Sequence, residues 1–148
     1  MSTDTFYSDT LVRFSHCDPA GIIFYPQYFI MFNGLVEDWF NHALGINYAD
    51  FITERRLGLP MVNIQCDFVT PSKIGEVITL TLKVERIGNS SIQLLVQAVY
   101  ADKVRLSAKL TICVFAFATT RAVPIPDDLR QRLTDFKEGR IDVPRRPA

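Results

Sequence analysis

YPQYFIMFNGLVEDWFNHALG, residues 25–45, is the stretch from which the architecture of this chain can be read. Apolar side chains recur every three or four residues at Tyr28, Phe29, Phe32, Leu35, Val36, Trp39, Phe40 and Ala43, and Ile30 and Met31 widen the arc. That is the period of an α-helix. Pro26 suits the first helical turn, where a missing N–H loses no partner, and Gly45 stands where a C-terminal cap belongs. A helix is therefore expected over residues 26–44. Its polar strip is narrow: Gln27, Gly34, Asp38 and Asn41, flanked by Asn33 and Glu37. So wide an apolar surface is more than one core-facing stripe requires, and the helix is expected to be largely enclosed.

Working outward, Asn47 is placed to cap a second, short helix over 48–56. After it the period changes to two. Val62, Ile64, Cys66 and Phe68 alternate with Asn63, Gln65 and Asp67; Ile78, Leu80, Leu82 and Val84 alternate with Thr79, Thr81, Lys83 and Glu85. Ile92, Leu94, Val96 and Ala98 follow the Gly88-Asn89-Ser90 turn, and a long last strand is expected over 106–116. With a strand over 6–14 and short turns between the later strands, antiparallel pairing follows. The expected class is α+β: one curved antiparallel sheet of about five strands wrapped round one long buried helix. Residues 1–137 are read as the domain and 138–148, which holds two prolines and three arginines, as a loosely ordered tail. Such a sheet leaves a face or an edge to bury elsewhere, so a homo-oligomer is expected.

With 148 residues, 48% of them hydrophobic and 22% charged, the composition is that of one ordinary globular domain. The formal net charge is zero, which gives no electrostatic ground for a nucleic-acid or membrane partner. An anionic ligand would have to be held by a few placed cations. Cys17, Cys66 and Cys113 are odd in number and lack a CxxC spacing, which points to reduced thiols. The N-terminal stretch lacks the basic and apolar regions of a secretory signal, and no apolar run has the length of a membrane span. A cytoplasmic protein is expected.

The chemistry-bearing types gather just before the helix, in SHCDPAGIIFYP, residues 15–26. Asp18-Pro19-Ala20-Gly21 is a good turn sequence, and its plain reading is a carboxylate capping its own turn. Yet the turn leads through apolar Ile22, Ile23 and Phe24 into a helix N-terminus at Tyr25-Pro26. Such a terminus offers free N–H groups to a developing oxyanion, and a carboxylate near it can attack a polarised carbonyl or activate water to do so. Cys17 beside His16 suggests a nucleophile–base pair, but neighbours on an extended chain point apart. His42 reads as a helix-flank residue, and two histidines without ligand spacing give no metal site. Glu37 is the reserve catalytic carboxylate; Asp67 reads as an interface residue. Lys83, Arg86, Arg121, Arg130 and Arg132 are the cations considered for an anionic ligand.

Arg13-Phe14, Cys17-Asp18-Pro19-Ala20-Gly21-Ile22, Tyr25-Pro26 and Tyr28 together resemble the signature of the 4-hydroxybenzoyl-CoA thioesterase family, and the order of elements resembles its hot-dog fold over about residues 6–133. Downstream, Gly58-x-Pro60, Phe68, Pro71 and Arg121-Ala122 ahead of Pro124-x-Pro126 agree more loosely. The resemblance implies that Asp18 is the catalytic nucleophile or general base and that the Tyr25 backbone N–H polarises the thioester carbonyl. It implies substrate contacts at Phe24, Pro26, Asn33 and Arg121, the last to a coenzyme A phosphate. It implies sites built between subunits of a homodimer or homotetramer. No metal or redox cofactor is implied; coenzyme A enters as part of the substrate. The 4-hydroxybenzoyl enzyme has an acidic residue where this chain has Asn33, and a basic turn where this chain has Gly88-Asn89-Ser90-Ser91. Neutral Asn33 suits a benzoyl group with other polar substitution, or none.

The function expected is hydrolysis of a benzoyl- or hydroxybenzoyl-type acyl-CoA, of the kind met in aromatic degradation. Alternatives are a short-chain aliphatic acyl-CoA thioesterase and a non-catalytic acyl-CoA or acyl-carrier binding module. A hydratase is a poor match, since His16 is the only histidine near Asp18.

Overall fold

The computed structural model describes residues 4–148; residues 1–3 of the expected domain lie outside the described residues. In chain order the elements are β1 (Thr5–Leu11), a short 3-10 turn (Phe14–His16), α1 (Tyr25–Trp39), α2 (Tyr48–Thr53), β2 (Leu57–Gly58), β3 (Met61–Phe68), β4 (Val77–Ile87), β5 (Ser91–Tyr100), β6 (Lys103–Cys113), β7 (Phe115–Ala116), β8 (Arg121–Ala122) and α3 (Asp127–Lys137). Five strands form one antiparallel sheet in the order β1-β4-β5-β6-β3, and β2-β7-β8 form a small second sheet.

The alternation in β4, β5 and β6 does what period two dictates. Ile78, Leu80, Leu82 and Val84, then Ile92, Leu94, Val96 and Ala98, then Leu106, Ala108, Leu110 and Ile112 are all buried, in one core with Tyr28, Phe32, Leu35, Val36 and Trp39 of α1. The helix continues through a wider π turn, Phe40–Leu44, and ends at Gly45 in the left-handed conformation (φ 68°). The cap expected at Gly45 is therefore present, as is that of Asn47, whose side chain accepts the Asp50 N–H at 3.0 Å. Among the described residues the Trp39 indole N–H has no hydrogen-bond acceptor; its ring meets Phe40 and Phe136 edge-on.

Three features differ from expectation. The helix is less enclosed than its apolar surface implies: Ile30 stays 61% exposed. The first strand stops at Leu11, because residues 14–16 turn instead of extending. The long last strand breaks after Cys113, where buried Val114 gives way to β7 of the small sheet.

The two edges of the main sheet are finished differently. Along β1, Arg146 donates its N–H to the Tyr7 carbonyl and accepts from the Asp9 N–H, and the Arg145 guanidinium grips the Asp9 carboxylate. Along β3 the only paired neighbour among the described residues is β6, and Val62, Ile64 and Phe68 are exposed.

Candidate active site

The segment from Arg13 to Tyr25 is a tight hairpin. The Phe24 N–H donates to the His16 carbonyl at 2.9 Å, Cys17 pairs with Ile23, and the Asp18 N–H donates to the Ile22 carbonyl at 3.1 Å. The turn closes through the Gly21 N–H on the Asp18 carbonyl, with Gly21 at φ 76°, and the Asp18 Oδ1 accepts the Ala20 N–H at 2.9 Å. The carboxylate does cap its own turn, as its plain reading holds. Its second oxygen has no partner among the described residues.

His16 and Cys17 are kept apart, though not by strand alternation. They belong to the 3-10 turn and its cap, where the His16 Nδ1 accepts the Arg13 N–H at 2.9 Å and the Cys17 thiol turns to the Arg13 carbonyl. Burial, and then the Arg13 charge, hold the His16 imidazole below its usual pKa.

Beyond the hairpin, Phe24 caps α1, Tyr25 is its first residue and Pro26 its second. Among the described residues the Tyr25 N–H takes no acceptor. An unpaired N–H at the positive end of a helix is what a carbonyl oxygen gaining charge needs.

Directly beside it lies a cavity of about 230 Å³, lined mainly by Ile22, Ile23, Tyr25, Tyr28, Phe68 and Val69. Tyr25 and Tyr28 both face Phe68, at ring-centre distances of 6.2 and 6.1 Å. Its polar end is made by Ser72, which is fully buried, and Arg105. The Arg105 guanidinium donates to the Pro71 carbonyl at 2.9 Å, to Ser72 Oγ at 3.3 Å and to both oxygens of Glu76, over the Tyr100 ring. Those bonds fix the 69–76 segment, which holds the hairpin in turn: the Ile23 N–H donates to Ser72 O, and the Ile74 N–H to Gly21 O.

None of this was visible from periodicity. Arg105 stands on the outward register of β6, but Ala98 pairs with Leu106 and Val99 with Val104, so Arg105 is a bulge residue. A bulge re-aims its side chain. The available signal was the Pro71-Ser72 pair, three residues beyond Phe68.

The other residues singled out from the sequence do not converge here. Asp18 is not on the wall of this cavity. Asn33 and Glu37 line a separate groove of about 860 Å³ with Ile30, Leu59, Met61 and Phe117. Asn33 is eight residues along α1 from Tyr25, roughly 12 Å at helical rise. Arg121 is exposed on β8, across Ala116 from Leu57. Arg130 and Arg132 are tied to the carbonyls of Gly88, Asn89 and Leu44. No cluster of metal-ligating side chains occurs among the described residues, and no described helix is long and apolar enough to cross a membrane.

Comparison with known proteins accords with this frame. A 1,4-dihydroxy-2-naphthoyl-CoA hydrolase of Nostoc punctiforme is 26% identical over 133 residues, covering 87% of this chain and 86% of that protein. Among solved structures, a gentisyl-coenzyme A thioesterase superposes with a TM-score of 0.78 at 22% identity, over 86% of this chain and 98% of the other. A Staphylococcus aureus protein solved in complex with CoA superposes with a TM-score of 0.83 at 16% identity, over 94% and 87%. The sequence profile of the thioesterase-like superfamily matches residues 12–133. With the five-stranded sheet wrapped on α1, that match places the chain: it belongs to the thioesterase-like superfamily, and its fold is the hot-dog fold.

Proposed function

We propose that this protein hydrolyses the thioester of an aromatic acyl-coenzyme A, giving the free acid and coenzyme A. The observation that carries the reading is the unpartnered Tyr25 N–H at the start of α1, opening beside an aromatic-walled cavity and attached to the hairpin that carries Asp18. The thioester carbonyl oxygen would accept that N–H. As the carbonyl carbon becomes tetrahedral its oxygen gains charge, which the helix terminus stabilises more than the ground state. Asp18 supplies the other half, either through its free carboxylate oxygen as nucleophile or by taking a proton from an attacking water. In both routes the C–S bond breaks and the thiolate of coenzyme A leaves and is protonated. In the first, a water then cleaves the mixed anhydride.

Phe24 and Pro26 border the site at the head of α1, and Arg121 is the cation assigned to a coenzyme A phosphate. Asn33 is too far along the helix to touch an acyl group held at Tyr25 of the same chain, so its contact is assigned to a second copy. This fits a homodimer or homotetramer with shared sites. The names of the relatives support aromatic acyl groups as the substrate class.

The test is release of free thiol from a panel of benzoyl-, hydroxybenzoyl- and short aliphatic acyl-CoAs. Wild-type protein is expected to turn over aryl thioesters, and Asp18→Asn to lose about a hundredfold or more in kcat with unchanged thermal unfolding. An Asp18→Asn protein at near wild-type rate on every cleaved thioester would refute the assignment.

A further inference from the structure

We infer that Arg105 is a positioning residue for hydrolysis: by gripping Glu76, Pro71 and Ser72 from the sheet, it sets the spacing between the Asp18 carboxylate and the Tyr25 N–H. The inference rests on the thioesterase reading above, with Asp18 and Tyr25 in their proposed roles, and adds the group that holds the two in register.

The Asp18 hairpin runs into α1 through Phe24, and its internal hydrogen bonds set its shape rather than its tilt against the helix. The tilt is set by the segment it rests on, residues 69–76. The Ile23 N–H donates to the Ser72 carbonyl at 2.9 Å and the Ile74 N–H to the Gly21 carbonyl at 3.0 Å. Just before the hairpin, the Val12 N–H donates to the Glu76 carbonyl and the Gly75 N–H to the Val12 carbonyl, both at 2.8 Å. Gly21 closes the Asp18 turn through its own N–H, so a shift of Ile74 reaches the carboxylate across a single turn.

Ser72 reaches the other half of the site. Its carbonyl holds the hairpin, while its fully buried hydroxyl accepts from Arg105 at 3.3 Å and is hydrogen-bonded to Tyr28, one turn along α1 from Tyr25. One residue thus touches both the hairpin and the helix, and Arg105 fixes it. The guanidinium comes from the β6 bulge and lies 4.5 Å over the Tyr100 ring. Its planar fork meets both Glu76 oxygens while also reaching the Pro71 carbonyl at 2.9 Å. A lysine ammonium can pair with Glu76 but cannot fill these divergent acceptors together. Arg105 borders the cavity, yet both its terminal nitrogens are engaged in this brace, so it acts on the reaction through the spacing. A misplacement of about 1 Å between reacting groups can cost on the order of a hundredfold in rate.

The experiment measures kcat and KM by thiol release, well below the unfolding midpoint, on the acyl-CoA of the panel above that wild-type protein cleaves fastest. Arg105→Lys and Glu76→Gln, the second lying off the cavity wall, are each expected to lower kcat about tenfold with KM changed less than about twofold. In the Asp18→Asn background the same substitutions are expected to cost less than about threefold more, because without the carboxylate the spacing has nothing to set. Should Arg105→Lys fail to fold, Glu76→Gln decides by the same two readouts. Unchanged kcat in folded variants, a rise in KM at constant kcat, or a full loss added on top of Asp18→Asn would overturn the inference while the thioesterase reading stood. An Asp18→Asn protein at wild-type rate, or wild-type protein inactive on every acyl-CoA, would overturn both.

Discussion

At the scale of single residues, the hairpin's two most reactive-looking side chains are occupied by local hydrogen bonds. The imidazole of His16 is spent on the Arg13 N–H and the thiol of Cys17 on the Arg13 carbonyl. What the hairpin offers is Asp18 with one oxygen free. Its position depends on Arg105, which braces the 69–76 segment through Pro71, Ser72 and Glu76. The Arg105 guanidinium and a hydrogen bond from the Lys73 N–H hold the Glu76 carboxyl below its ordinary pKa of 4.5. With side chains 15% and 18% exposed, the pair is shielded enough to matter. Glu76→Gln is expected to cost about 1–3 kcal/mol at pH 7. The sign follows from linkage: a carboxyl whose pKa is depressed by folding adds stability that is complete above its unfolded value and is lost as pH falls through the folded one. The wild-type advantage over Glu76→Gln in urea should therefore hold from pH 7 to 5 and shrink below about 4.5. An advantage unchanged at pH 3 would show that the ion pair is not its source. The Asp18 turn could be read from the sequence because it is local. Arg105 could not, because a bulge is set by the partner strand and breaks the two-residue alternation.

At the scale of elements, α1 was legible because three independent signals agreed: the 3.6-residue period, Pro26 in the first turn and Gly45 at the end. The break between β6 and β7 was not, because apolar alternation continues straight through Val114 and only the tertiary path diverts it. The Gly45 cap can be tested by itself. Its φ of 68° is unfavourable for any residue with a Cβ, yet the nearest atom to an added Cβ is the Arg132 guanidinium at 3.6 Å, an ordinary contact. Steric clash is thus absent and only backbone strain remains. Gly45→Ala should lower unfolding free energy by about 1 kcal/mol, seen as a lower denaturant midpoint with an unchanged m-value. A loss of several kcal/mol would mean that the Arg132–Leu44 hydrogen bond, at 2.7 Å, had been broken as well.

At the scale of the whole molecule, the expectation of an oligomer came from surface left unburied, and the structure gives that surface an address. Of the two sheet edges, β1 receives the Arg146 backbone, while the outer edge of β3 has no strand partner among the described residues and carries exposed Val62, Ile64 and Phe68. Exposed apolar edges are normally covered. Exposed Ile30 on α1 adds to the unburied apolar surface, and the Asn33 groove is separate from the Tyr25 cavity. Tyr25 and Asn33 lie about 12 Å apart along one helix, so one acyl group meets both only if two copies are juxtaposed. A charge at the centre of β3 tests this. Ile64 is 37% exposed in the isolated chain, so Ile64→Lys should be tolerated by the fold but not by a strand-to-strand interface, where a lysine ammonium would be buried unpaired. The variant is expected to run as a monomer by light scattering, keep its circular dichroism, and lose about a hundredfold in aryl-CoA turnover as half of each site is removed. A monomer with full activity would show that one chain builds the whole site, and Asn33 would then have no part in it.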